Sequence, residues 1–171
     1  RIVDITSLSP DLRATNHRPE RNYVADLDAD GDSDIVAPYA FRNPKLLIND
    51  GTGRFHEEAA ARLPFAPGSG YLAVAAVIDI DGVDGVDIFG VANSMTNRTG
   101  QPISGSVFLR NDGSGKFSPE PALPGTTNSA AYFGDLNGDG LTDYFSVLSP
   151  GLVFRPGRGE TKYIGDGAGG F

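Results

Sequence analysis

The chain contains no cysteine, which excludes a disulfide framework, thiolate metal ligands and a cysteine nucleophile together. The redox compartment is left open by the same fact. No apolar run approaches the roughly 18 residues that a membrane-spanning helix needs. The longest, Leu72 to Ile78, has the length of a strand, so membrane insertion is not expected. Basic residues form no stripe and aromatic residues no stacking platform, so nucleic acid is not an expected partner. Two histidines, His17 and His56, are too few and too isolated for a zinc site. Neither a Ser–His–Asp arrangement nor a Gly-x-Ser-x-Gly elbow can be read, and the chain reads as a non-enzyme. The sequence starts at Arg1 without an initiator methionine or signal peptide, so a mature product or a cut fragment is expected.

What is present is turn chemistry. The chain has 23 glycines and 12 prolines, as a fold of many short strands requires. Its formal charge of −8 is concentrated: twelve of the 22 acidic residues lie between Asp26 and Asp34, Asp79 and Asp87, and Asp135 and Asp143. Carboxylates packed so densely repel unless something neutralises them. Three divalent cations would bring the formal charge of −8 to about −2.

The three acidic segments head three repeats. They read Asp26-Leu-Asp-Ala-Asp-Gly-Asp-Ser-Asp34, Asp79-Ile-Asp-Gly-Val-Asp-Gly-Val-Asp87 and Asp135-Leu-Asn-Gly-Asp-Gly-Leu-Thr-Asp143. A second marker follows each: Asn49-Asp-Gly-Thr-Gly-Arg-Phe55, Asn111-Asp-Gly-Ser-Gly-Lys-Phe117 and Gly165-Asp-Gly-Ala-Gly-Gly-Phe171. Two motifs in fixed order, three times over, define a repeat protein. Short β-branched and aromatic runs bounded by Gly, Asn and Asp predict four strands per unit. One enters the acidic turn (Tyr23-Val24-Ala25, Val74 to Ile78, Ala131-Tyr132-Phe133). One leaves it (Ile35-Val36-Ala37, Ile88 to Val91, Tyr144 to Leu148). A third precedes the second marker (Leu46 to Ile48, Val107 to Leu109, Lys162 to Ile164), and the fourth starts at the marker's Phe. Helical periodicity is absent, and only residues 57–63 could wind a short turn. The expectation is a single all-β repeat domain, 1–171, with units near 2–54, 55–116 and 117–171. Residues 1–6 would supply the fourth strand of a neighbouring blade, and the last unit would lack its own. The polar stretch 93–106, with the loop 6–22, is the expected place for partner contacts. Within it, Asn97-Arg98-Thr99 is an N-glycosylation acceptor.

The acidic segments match the needs of calcium, which takes 6–8 oxygens that side chains alternating along a short loop can supply. In the first loop Asp26, Asp28, Asp30 and Asp34 would offer carboxylates and Asp32 its carbonyl. In the third, Asp135, Asn137, Asp139 and Asp143 would do so, with the carbonyl of Leu141. The second is irregular: Val83 stands where an acid should, and the acid and glycine move on to Asp84 and Gly85, while Asp79, Asp81 and Asp87 stay in register. A weaker or differently shaped site is expected there, giving up to three Ca²⁺ ions in all. These are not EF-hands, because Ala37 and Ser146 occupy the place of the twelfth-position glutamate. The Asp50-Gly51 and Asp112-Gly113 markers read instead as hairpin turns.

The segments Asp26 to Pro38 and Gly134 to Asp143 resemble the FG-GAP (VCBS-type) repeat of integrin α-subunit propellers and of many secreted proteins. The resemblance implies three β-propeller-type blades of four-stranded antiparallel sheets, with calcium between the first and second strands of each. Rings of this family usually have seven blades, so three imply an incomplete propeller, or part of a larger or oligomeric one. The resemblance implies an extracellular module for recognition or adhesion, lectin-like or protein-binding, whose glycan or protein ligand the sequence does not name. The alternative is an assembly subunit that self-associates by completing its blades with a neighbour's terminal strand, forming a ring or filament.

Overall fold

The computed structural model describes residues 21–39, 42–80, 82, 85–120, 130–135, 138, 142–147 and 160–163. The strands are β1 (Tyr23–Ala25), β2 (Asp34–Tyr39), β3 (Arg42–Asn49), β4 (Phe55–Glu57), β5 (Tyr71–Ile78), β6 (Asp87–Thr96), β7 (Pro102–Asn111), β8 (Phe117–Glu120), β9 (Ala130–Gly134), β10 (Asp143–Val147) and β11 (Glu160–Tyr163). One helical turn, α1 (Ala59–Arg62), stands between β4 and β5, inside the stretch expected to wind. The strands form three antiparallel meanders, β1-β2-β3-β4, β5-β6-β7-β8 and β9-β10-β11. The fold is all-β and propeller-like, and incomplete. Residues 1–6 and the third marker, 165–171, lie outside the described residues.

Phe55 pairs with Asn49 and Phe117 with Asn111, so the Phe of the first two markers starts the fourth strand of the sheet it follows, as the strand pattern predicts. The unit boundaries expected at 54/55 and 116/117 fall one strand short of the sheet ends. The polar stretch 93–106 is largely strand: β6 and β7 continue through it, pairing Met95 with Ile103 and Thr96 with Pro102. The physical reason is Met95, 1% exposed, which joins the same apolar cluster as Leu63 and Phe65. Only the tip at 97–100 turns, and the exposed Asn93 and Ser94 sit at a bulge.

The second sheet is covered on both faces, which explains why β5 reads as a continuous apolar run instead of alternating. On one face Leu72, Val74, Val77, Ile88, Val107 and Leu109 meet Leu27, Val36, Leu46 and Ile48 of the first repeat. On the other, Phe89 and Phe108 meet Phe133 of β9, with ring centroids 5.1 Å and 6.5 Å apart. A bulge between Val74 and Ala76 resets the parity of β5. Before it Leu72 and Val74 face the first sheet; after it Val77 does, and Ala76 and Ile78 turn to the third. The Tyr23 hydroxyl donates to the bulge carbonyls of Val74 (3.1 Å) and Ala75 (3.0 Å), pinning β1 to β5.

Candidate metal centre

The first acidic loop connects β1 to β2. Its last residue, Asp34, is fully buried at the start of β2. Its Oδ2 accepts the Leu27 amide (2.8 Å) and its Oδ1 the Asn49 amide (2.8 Å), so one carboxylate ties the loop to β3. Burial pushes the Asp34 carboxyl above the usual carboxylate range, and the charges of Asp28 and Asp30 push the same way, against the two amide donors. One carboxylate oxygen from each of Asp26, Asp28 and Asp34 lies within 4.8 Å of the others. Asp26 Oδ1 and Asp28 Oδ1 are buried and accept no hydrogen bond. Asp26 spends its other oxygen on the Gly31 amide (3.0 Å), and Asp28 on the Arg62 guanidinium (3.0 Å). Asp30 is exposed, with its Oδ1 accepting the Asp32 amide (2.9 Å), and stands outside this group of three. Two buried, negatively charged oxygens without donors are costly unless a cation meets them.

The second loop repeats the frame, and the third keeps its buried last aspartate. Asp87 is fully buried; it accepts the Ile80 amide (3.3 Å) and the Asn111 amide (2.9 Å), as Asp34 does with its equivalents. Asp143 is also fully buried. Asp79 accepts the Gly82 amide (2.7 Å) and Asp135 the Gly138 amide (2.6 Å). Gly85 turns with φ +93°. Asp81, Val83, Asp84, Asn137, Asp139 and Leu141 lie outside the described residues.

In the first two units the second marker is the scaffold beneath the loop. Asn111 is 3% exposed, and its Oδ1 accepts the amides of Gly113 (3.0 Å) and Gly115 (3.0 Å). Its amide nitrogen donates to the carbonyls of Leu27 (2.8 Å) and Val86 (3.0 Å), joining the first two loops. Asn49 serves the first hairpin likewise, accepting from Gly51 (3.2 Å) and Gly53 (3.1 Å). Asp50 and Asp112 are held below the usual carboxylate range by the hydroxyls of Thr52 and Ser114, which donate to them at 2.6 Å and 2.7 Å. Both markers are hairpin turns, as expected.

The FG-GAP-like repeat family model matches residues 26–89 and 79–146. Each match opens on a loop's first aspartate and runs just past the following loop. The chain belongs to the FG-GAP-like repeat family. No curated protein matches it as a relative. FG-GAP-like repeats are typical of extracellular proteins and are typically non-enzymatic binding or structural modules. Among the described residues no helix is long and apolar enough to cross a membrane.

Two features of these FG-GAP-like loops escaped the sequence reading. The first is position 4, which takes a left-handed conformation in all three: Ala29 (φ 59°), Gly82 (φ 71°) and Gly138 (φ 84°). Glycine at that place in the second and third loops was the signal. Ala29 alone carries a Cβ there, and Ala29→Gly is expected to raise stability by about 0.5–1 kcal/mol, read from the urea midpoint. An unchanged or lower midpoint refutes the strain. The second is Arg62, 34 residues from Asp28 in sequence, which no local pattern connects to the loop.

Asn97 heads the β6–β7 turn. Its Oδ1 accepts the amide (3.0 Å) and hydroxyl (2.7 Å) of Thr99 and the Gln101 amide (2.8 Å).

Proposed function

We propose that the chain is an extracellular, calcium-stabilised propeller-type module that presents its loops to a glycan or protein ligand. The observation that carries the calcium reading is the pair of buried, donor-free oxygens, Asp26 Oδ1 and Asp28 Oδ1, beside Asp34. The residues that would hold the ion are Asp26, Asp28, Asp30 and Asp34 with the carbonyl of Asp32. In the second loop they would be Asp79, Asp81, Asp84 and Asp87, and in the third Asp135, Asn137, Asp139 and Asp143 with the carbonyl of Leu141. The donor set is all oxygen, as a hard cation requires. A bound divalent ion supplies the positive charge that lets these carboxylates converge, and so stiffens the bend between two strands.

Extracellular calcium modules bind at about 10⁻⁴–10⁻³ M. At tenfold excess over the dissociation constant each occupied loop gains about 1.4 kcal/mol, which in a chain of this size raises Tm by roughly 3–6 °C per loop. Melting scans in calcium and in chelator check this, and an identical midpoint in both refutes it. Recognition is tested by glycan arrays and pull-down; binding to neither argues against the ligand-presenting role.

A second reading, assembly with a neighbour, rests on Val24. Its counterparts at the same place before the acidic turn, Val77 and Phe133, join the clusters between sheets. Val24 is 67% exposed. Light scattering that finds only monomer at high concentration would sink this reading.

A further inference from the structure

We infer that Arg62 is a built-in counter-cation for the first acidic loop and sets that loop's affinity for a divalent metal. The inference rests on the calcium reading above. Arg62 ends α1, in the segment joining the first two sheets, and its side chain is only 14% exposed. All three of its nitrogens are used, each toward a different part of the chain. Nε donates to Glu58 Oε2 (2.7 Å), Nη2 to Asp28 Oδ2 (3.0 Å), and Nη1 to the carbonyl of Ser114 in the β7–β8 hairpin. The hairpin is seated closely enough that a Cβ on Gly115 would stand 3.1 Å from Asp28 Cβ and 3.2 Å from the Leu27 carbonyl.

Asp28 is therefore shared. One of its oxygens accepts from the guanidinium and the other is buried and donor-free, and the carboxylate as a whole converges with those of Asp26 and Asp34. A cation on that group and the Arg62 charge act on the same carboxylate from two sides. In the metal-free chain Arg62 compensates part of the negative charge at Asp26, Asp28, Asp30 and Asp34. In the loaded chain the ion compensates it, and Arg62 adds a like charge beside the ion. Removing the Arg62 charge thus harms the metal-free state more than the loaded one, and by linkage that difference is tighter metal binding. The same contacts make Arg62 a staple between sheets, so the metal-free form owes part of its inter-sheet closure to it.

The test is calcium titration of the full chain by calorimetry, with melting scans in calcium and in chelator. The background carries Asp79→Asn and Asp135→Asn, which weaken the other loops while leaving an oxygen for the Gly82 and Gly138 amides. Arg62→Met is expected to tighten the first loop's dissociation constant roughly fivefold or more and to widen the gap between the two melting midpoints. Arg62→Lys, which keeps the charge, is expected to stay near the parent. Arg62→Gln serves if Arg62→Met does not fold in chelator or calcium. An unchanged or weaker constant in Arg62→Met and Arg62→Gln, with both midpoints falling equally, makes Arg62 a packing residue and overturns the inference alone. Absence of calcium binding in the parent chain overturns both the inference and the calcium reading.

Discussion

Asp34→Ala is expected to lower stability by about 3–5 kcal/mol in chelator, before any loss of calcium binding is added. Asp34 completes the acidic loop in sequence, yet both its oxygens serve the backbone. Removing them strands the amides of Leu27 and Asn49. Leu27 is itself 1% exposed, so water does not replace the lost acceptor at that end. Each stranded buried donor costs about 1–3 kcal/mol, and the vacated volume adds to this. Asp87→Ala is expected to act alike through the amides of Ile80 and Asn111. Asp26→Asn is the contrast. It keeps an oxygen for the Gly31 amide and removes an uncompensated buried charge, so its stability in chelator is expected to equal or exceed the parent's while the gain from calcium shrinks. Chemical denaturation of the three variants in both media checks the division of labour. An Asp34→Ala variant that matches the parent in chelator and loses stability only in calcium would make Asp34 chiefly a ligand and overturn the scaffold role.

Gly90→Val is expected to cost at least about 3 kcal/mol. Gly90 lies in β6 between Val74 of β5 and Val107 of β7. A Cβ there would stand 2.6 Å from the Ala73 carbonyl oxygen and 2.8 Å from Leu72 Cδ1. The carbonyl cannot retreat without disturbing the bulge that aims Val77 at the first sheet and Ala76 at the third. Valine adds two methyl groups to a position where even the first carbon does not fit. The urea midpoint is expected to fall with its slope unchanged; a loss under about 1 kcal/mol would mean that β5 yields.

Much of the strand map was legible because its causes are local. Tyr23 to Ala25, Ile35 to Ala37 and Leu46 to Ile48 each fall within a strand, since β-branched and aromatic runs between Asp, Asn and Gly have few other stable forms. The markers were legible as hairpins for the same reason. The continuation of β6 and β7 through 93–106 was not legible, because exposed polar residues mask one buried anchor, Met95, which shares its apolar cluster with Leu63 and Phe65 from the segment between α1 and β5. Within the loops, the run of aspartates was plain but their roles were not. Asp34 looks like Asp28 in sequence, and only the positions of the Leu27 and Asn49 amides separate a scaffold carboxylate from one with an oxygen to spare.

By itself the sequence determined the repeat, the all-β character, the sites of the bends and the concentration of charge within them. Apart from the repeat, which is read from motifs recurring along the whole chain, each depends on residues close together in sequence. Tertiary structure alone decided which faces of β5 meet which sheet, because a single bulged residue reverses strand parity. It also decided that Arg62 reaches Asp28 and Ser114, because side chains so distant in sequence meet only after the sheets have stacked.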